Sequence, residues 1–195
     1  MKKAMFNDEY GLTTAVLHHD KTMTRRLIPS HIMMKYGINK FTTPQSREAD
    51  LIADAPWKLG EVLAVAQPYK DLYDWTKSAP AHLLDKAGFD NKMFVRAYLM
   101  HYGIRITAVR VERLQEITDE ECLREGIECE PDRGTFRYGF YGKTYITRQG
   151  TMETRSSWFA TPRDAFAKLI DKVSGRGTWE RNPIVYVYEF ESFRL

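Results

Sequence analysis

Ile104-Arg105-Ile106-Thr107-Ala108-Val109-Arg110-Val111 is the stretch on which the fold turns. Side chains alternate across an extended chain, so Ile104, Ile106 and Ala108 share a face. The apolar positions then change phase, to Val109 and Val111. A slip of one residue in a period-two pattern marks a β-bulge, which bends the strand as the wall of a barrel requires.

Strands flank this one on both sides. Glu61-Val62-Leu63-Ala64-Val65-Ala66 reads as a strand that Pro68 stops from continuing as a central one. Ala4 to Phe6 makes a first short strand, and Asn7 reads as the cap of a helix of about three turns in which Leu12, Ala15, Val16 and His19 share a face. Downstream, Thr118-Asp119-Glu120-Glu121 is a capping-box sequence, with Gly126 placed to end a short helix. Thr161-Pro162-Arg163-Asp164 starts a longer helix that Gly175 ends, with Ala165, Phe166, Leu169, Ile170 and Val173 on its apolar face. Ile184-Val185-Tyr186-Val187-Tyr188 is apolar on both faces, which predicts a central strand. Phe136, Tyr138 and Phe140 alternate and predict a hairpin. Residues 27 to 60 read as an excursion with little regular structure, and residues 70 to 100 as a second, helical around 71–75 and 81–87. Strands separated by short helices, with one strand bulged, give an α+β fold on a small, partly closed barrel.

Composition narrows the function classes. The 195 residues are 43% hydrophobic, enough for one sizeable core, so one domain over 1–195 is expected. No apolar run approaches the ~20 residues of a membrane-spanning helix, and no export signal follows the basic start. A cytosolic location, without membrane contact, is the expectation. Cys122 and Cys129 are not spaced as a zinc set, so two reduced thiols and no metal are expected. No cofactor is expected either. His18 and His19 are neighbours and fall on different helix faces, which argues against a shared metal. The net charge of +3 permits a nucleic-acid partner without requiring one.

Several segments together resemble the ASCH proteins of bacteria and phages. These are Lys21-Thr22-Met23-Thr24-Arg25-Arg26, Gly60 to Val65, Ile106-Thr107 through Val111 to Thr118, Glu125-Gly126, Ala165-Phe166, and Trp179 through Asn182-Pro183 to Val187. The match thins over about 27–59, 70–95 and 128–160. This resemblance implies a PUA-like β-barrel with a cleft for RNA, DNA or a modified nucleoside. Some small relatives hydrolyse N4-acylated cytidine, and others have been assigned RNA binding or ribonuclease activity. In the amidohydrolase-like relatives the working residues correspond to Lys21, Thr24 and Glu125. Many phage relatives carry an Arg-Glu pair where this chain has Ala66-Gln67, so its ligand can differ.

The chemistry of those residues is coherent. A threonine hydroxyl attacks an acyl carbon only if a base takes its proton, and lysine is such a base when burial or nearby cations lower its pKa. Arg25 and Arg26 would supply the cations, and Glu125 the proton for a leaving nitrogen. Glu125, beside Cys122 at the negative end of its helix, has reasons to be held protonated. On a straight strand Lys21 and Thr24 face opposite ways, so the set needs a turn. The plainer reading makes Lys21, Arg25 and Arg26 solvated charges following a helix. Glu120 and Glu121 read as first-turn charge and cap. Arg25, Arg26, Arg137, Tyr138 and Lys143 are the candidate ligand or nucleic-acid contacts. The last three belong to an aromatic and basic stretch, 133–155, suited to stacking bases and tracking phosphates, or equally to a hairpin with solvated charges. Trp179 and Tyr186 can stack on a base or fill the core.

Overall fold

The computed structural model describes residues 1–39, 42–74, 80–146 and 151–195; the side chains of residues 143, 145, 146, 153 and 155 also lie outside that description. The fold is α+β. Strands β1 (Lys3–Ala4), β2 (Met23–Leu27), β3 (Val62–Val65) and β4 (Tyr102–Arg113) belong to one sheet; β5 (Glu128–Asp132), β6 (Thr135–Ile146) and β7 (Met152–Phe159) form another; β8 (Ile184–Arg194) returns to the first. The larger sheet has the order β1-β3-β4-β8-β2, parallel only between β1 and β3. The smaller one is an antiparallel meander that contains the expected hairpin.

The register of β4 against β8 shifts between Ile106 and Ala108, where the apolar phase slips. The bulge curls the larger sheet. A flat five-stranded sheet would hold its edge strands about 19 Å apart, four interstrand spacings. Here Arg26 of edge strand β2 donates from Nη2 to the carbonyl oxygen of Met5, just beyond edge strand β1, at 2.7 Å. One side chain spans the gap, while no backbone ladder joins the two edges among the described residues.

β8 is central, and Val185, Val187, Tyr186 and Tyr188 bury both of its faces. Each such aliphatic side chain adds about 1.5–3 kcal/mol to folding. The helices are α1 (Leu12–Leu17), α2 (Ser30–Lys35), α3 (Glu48–Ala53), α4 (Tyr69–Leu72), α5 (Asp119–Arg124), α6 (Pro162–Ser174) and α7 (Thr178–Arg181). Thr118 and Glu121 close the capping box of α5. Thr161 caps α6, Gly175 ends it, and Ala165, Phe166, Leu169 and Ile170 bury its inner face. Helix α6 packs on α5, α7 and the β6–β7 hairpin.

Two expectations need correcting. Asn7 does not cap a three-turn helix: its Oδ1 accepts from the Glu9 amide at 2.8 Å in a local turn, and α1 starts only at Leu12. Gly11, at φ 67°, breaks the chain direction between them. Residues 27–60 hold two helices and a 3₁₀ turn at Pro44–Arg47. Each helix buries a single residue, Ile32 in α2 and Leu51 in α3, too few to leave a periodic signal.

Candidate functional site

Alternation along β2 sends Met23 and Arg25 to one face and Thr24 and Arg26 to the other. In the register with β8, Thr24 lies opposite Tyr188, Arg25 opposite Val187 and Arg26 opposite Tyr186. Helix α5 covers the Arg25 side. The Arg25 guanidinium reaches Glu112 at 2.6 Å, Glu121 at 2.6 Å and Glu125 at 3.2 Å, and its side chain is fully buried. Desolvation opposes its charge, but Glu125, Glu112 and Glu121 outweigh that and raise its pKa. The network continues outward through Arg110, which contacts Glu121 and lies 2.9 Å from Glu189, and through Arg124, 2.6 Å from Glu189. Glu121 therefore does more than cap a helix. Its carboxyl is held below the ordinary value: burial pushes up, and the Thr118 amide, Arg25 and Arg110 pull down harder.

Lys21 sits in a turn, which carries it to Glu125 and not to Thr24. The amides of Asp20 and Lys21 both donate to the Ala15 carbonyl, and the Thr22 amide donates to the Arg124 carbonyl, so the chain leaves α1 against the end of α5. From there Lys21 Nζ donates to Glu125 Oε2 at 2.7 Å and to the Glu125 carbonyl at 2.6 Å. Both residues are buried. Gly126 makes the approach possible: its φ is 95°, and an added Cβ would lie 3.3 Å from Leu12 and 3.6 Å from Lys21. Desolvation lowers the Lys21 pKa, Glu125 raises it, and Arg26 and Arg25 add to the lowering; the net shift is downward. The Thr24 hydroxyl makes no hydrogen bond to Lys21 or Glu125 among the described residues.

Thr24 and Arg26 instead line a cleft of about 440 Å³ whose wall includes Phe6, Trp57, Tyr186 and Tyr188. The Arg26 guanidinium lies 4.2 Å from the Trp57 ring centroid and 5.6 Å from that of Phe6. Trp57 and Tyr188 rings are 4.9 Å apart, and Tyr186 donates its hydroxyl to the Leu51 carbonyl at 2.9 Å. No carboxylate pairs with Arg26 among the described residues. Burial lowers its pKa to about 10, against smaller upward contributions from Tyr188 and Glu125, and it keeps its charge at neutral pH. Its Nε and the Tyr188 hydroxyl are both buried without a hydrogen-bond partner. The hydroxyl lies near the Trp57 backbone, though not in hydrogen-bonding geometry, and burial pushes its pKa up.

The 133–155 stretch is arranged differently. Arg137 donates to Glu130 at 2.8 Å and stacks 4.5 Å from the Trp158 ring. Glu130 pairs with Arg137 across β5 and β6, and Glu128 with Gly139, so two acids share the face of Arg137. Tyr138 points to the other face and packs on the core. The Lys143 side chain lies outside the described residues. Trp179 packs edge-on to Phe166 at 6.1 Å, a core position. Burial pushes the Cys122 thiol up to about 12, as suits an inert core cysteine. No helix is long and apolar enough to cross a membrane, and no group of three metal-ligating side chains occurs, in both cases among the described residues.

Of the set Lys21, Thr24 and Glu125 expected from the sequence, the structure brings Lys21 and Glu125 together and leaves Thr24 apart; Trp57 and the carboxylates around Arg25 were not anticipated. The Arg110, Glu112 alternation on β4 carried a signal for Glu112, which shares a sheet face with Arg25. Trp57 lies in an aperiodic segment and left none. Comparisons with protein-family models, with curated proteins and with solved structures return no match.

Proposed function

We propose that the chain is an ASCH-type protein of PUA-like architecture that recognises a nucleobase, in a modified nucleoside or an unstacked position of a nucleic-acid strand. The cleft beside Thr24 and Arg26 carries this reading. Its volume suits a small ligand, and its lining includes the Trp57 and Tyr188 rings, packed on each other and under Arg26, together with Thr24. Flat rings stack on aromatic side chains whatever their sequence, and hydrogen-bonding groups then select among them. The Lys-Thr-x-Thr-x-Arg motif supplies the edge strand of that wall, and the curl of the larger sheet accords with a barrel architecture.

Calorimetric titration with the four ribonucleosides and N4-acetylcytidine, and with short single-stranded RNA and DNA, tests it. Binding of at least one probe is expected, weakened by Trp57→Ala through loss of about 1–3 kcal/mol of stacking. No binding at low salt would contradict the reading.

The Lys21–Glu125 contact favours a second reading, hydrolysis of an N4-acylated cytidine. A lysine whose charge is disfavoured by burial suits a general base. In that reaction the proton shared by the Lys21–Glu125 pair resides on Glu125, Lys21 takes the proton of a water, the water oxygen attacks the acyl carbon, and Glu125 protonates the leaving nitrogen. Release of cytidine from N4-acetylcytidine, lost in Lys21→Met and followed by chromatography, is the expected result. Intact substrate after long incubation at high protein concentration would exclude it for that substrate.

A further inference from the structure

The buried cations among the described residues have anionic partners. Arg25 has three carboxylates, Lys21 has Glu125 at 2.7 Å, and Lys92 has Asp8 at 2.6 Å. Half-buried Arg26 has none; Lys3 and Arg163 have none either, but backbone carbonyls hold them at three and two points. The only hydrogen bond of Arg26 among the described residues goes to the Met5 carbonyl, and the ring faces of Trp57 and Phe6 supply the rest of its surroundings. A polar atom buried without a partner is costly. Two such atoms belong to neighbouring residues on this cleft, Arg26 Nε and the Tyr188 hydroxyl.

We infer that the ligand of this cleft carries an anionic phosphate that pairs with Arg26, so that the protein takes a nucleotide in preference to the corresponding neutral nucleoside. This rests on the base-recognition reading. A guanidinium matches phosphate geometry, and the Nε–H and the Tyr188 hydroxyl, both closed to solvent in this conformation, become donors to a phosphate oxygen on a side-chain shift of Arg26. The cleft, at about 440 Å³, exceeds what an inorganic anion fills, and its aromatic wall leaves room for a flat ring beside the charge. The opposing explanation is a water bridging Arg26 and Tyr188, which would satisfy both groups without a ligand.

The test is calorimetry on the intact chain at low salt, with each ribonucleoside, its 5′-monophosphate, inorganic phosphate and a short single-stranded RNA. The preferred monophosphate is expected to bind at least about tenfold tighter than its nucleoside, with the gap narrowing as salt is added. Arg26→Gln should close that gap to about twofold or less, and Tyr188→Phe should narrow it without lowering the melting temperature of the free protein. A tighter RNA than monophosphate, with the same Arg26 dependence, assigns the phosphate to a strand; the reverse order assigns it to a free nucleotide. Equal affinity of nucleoside and monophosphate, or a gap that survives Arg26→Gln, would overturn the inference while leaving base recognition standing. Inorganic phosphate binding as tightly as the nucleotide would overturn the role of the ring. Absence of binding by every probe would remove both readings. The wild-type comparison needs no variant and decides the matter even if Arg26→Gln does not fold.

Discussion

Arg25 and Arg26 are adjacent in sequence and opposite in circumstance. On one face of β2, Arg25 is sealed under α5 and shared by Glu112, Glu121 and Glu125. On the other face Arg26 lies on the wall of a cleft, against Trp57 and Phe6, with no carboxylate beside it among the described residues. The same residue type thus has two jobs. A cation saturated by protein anions fixes structure, because removing either side strands a buried charge. A cation left unsaturated at a cleft is available to a ligand, and the fold tolerates it through aromatic contacts and one carbonyl.

The largest effect should come from breaking the saturated face. Glu125→Ala removes the carboxylate that both Lys21 and Arg25 hold, and should cost about 3–5 kcal/mol in urea unfolding. A loss under about 1 kcal/mol would mean that the cluster is not structural. Loosening the cover of that face should cost less. Thr118→Ala deletes the cap of α5, whose hydroxyl accepts from the Glu121 amide at 3.2 Å, and should cost about 1 kcal/mol. The same substitution should leave the cleft face intact, so ligand affinity is the control that separates the two.

Acid gives the smallest and most graded test. The Glu121 pKa lies below its ordinary 4.5 in the folded protein, so its contribution is fully present above that value. It is lost as the pH falls through the lower folded value. Thermal melts between neutral pH and about pH 3 should show a decline that is shallower in Glu121→Gln. A decline of equal steepness in the variant would place the acid sensitivity elsewhere.

Much of the fold was legible before the structure, the contrast between Arg25 and Arg26 was not, and the missing parts share a cause. The bulge at Ile106, the cap at Thr118, the stop at Gly175 and the doubly buried β8 are local signals, each written in a few consecutive residues. The opposite facing of Lys21 and Thr24 on a straight strand was legible too, and the turn after α1 moves Lys21 off the strand toward Glu125, 104 positions away. Trp57 was not legible, because nothing local distinguishes a tryptophan that will stack on Arg26 from one in a loop. The partners of Arg25 come from β4 and from α5, and only tertiary packing brings them together. Gly11 outweighed Asn7 at the start of α1 because a left-handed residue interrupts a helix that a side-chain cap would otherwise begin.

The comparison is tested most directly by urea unfolding of Arg25→Gln and Arg26→Gln side by side, each with and without the nucleoside monophosphate that binds best. Arg25→Gln is expected to lose about 3–5 kcal/mol and still gain stability from the nucleotide. Arg26→Gln is expected to lose only about 1–2 kcal/mol, for one hydrogen bond and its ring contacts, and to gain nothing from the nucleotide. Equal losses in the two variants, with the nucleotide response kept in Arg26→Gln, would contradict the division of labour between the two faces of β2.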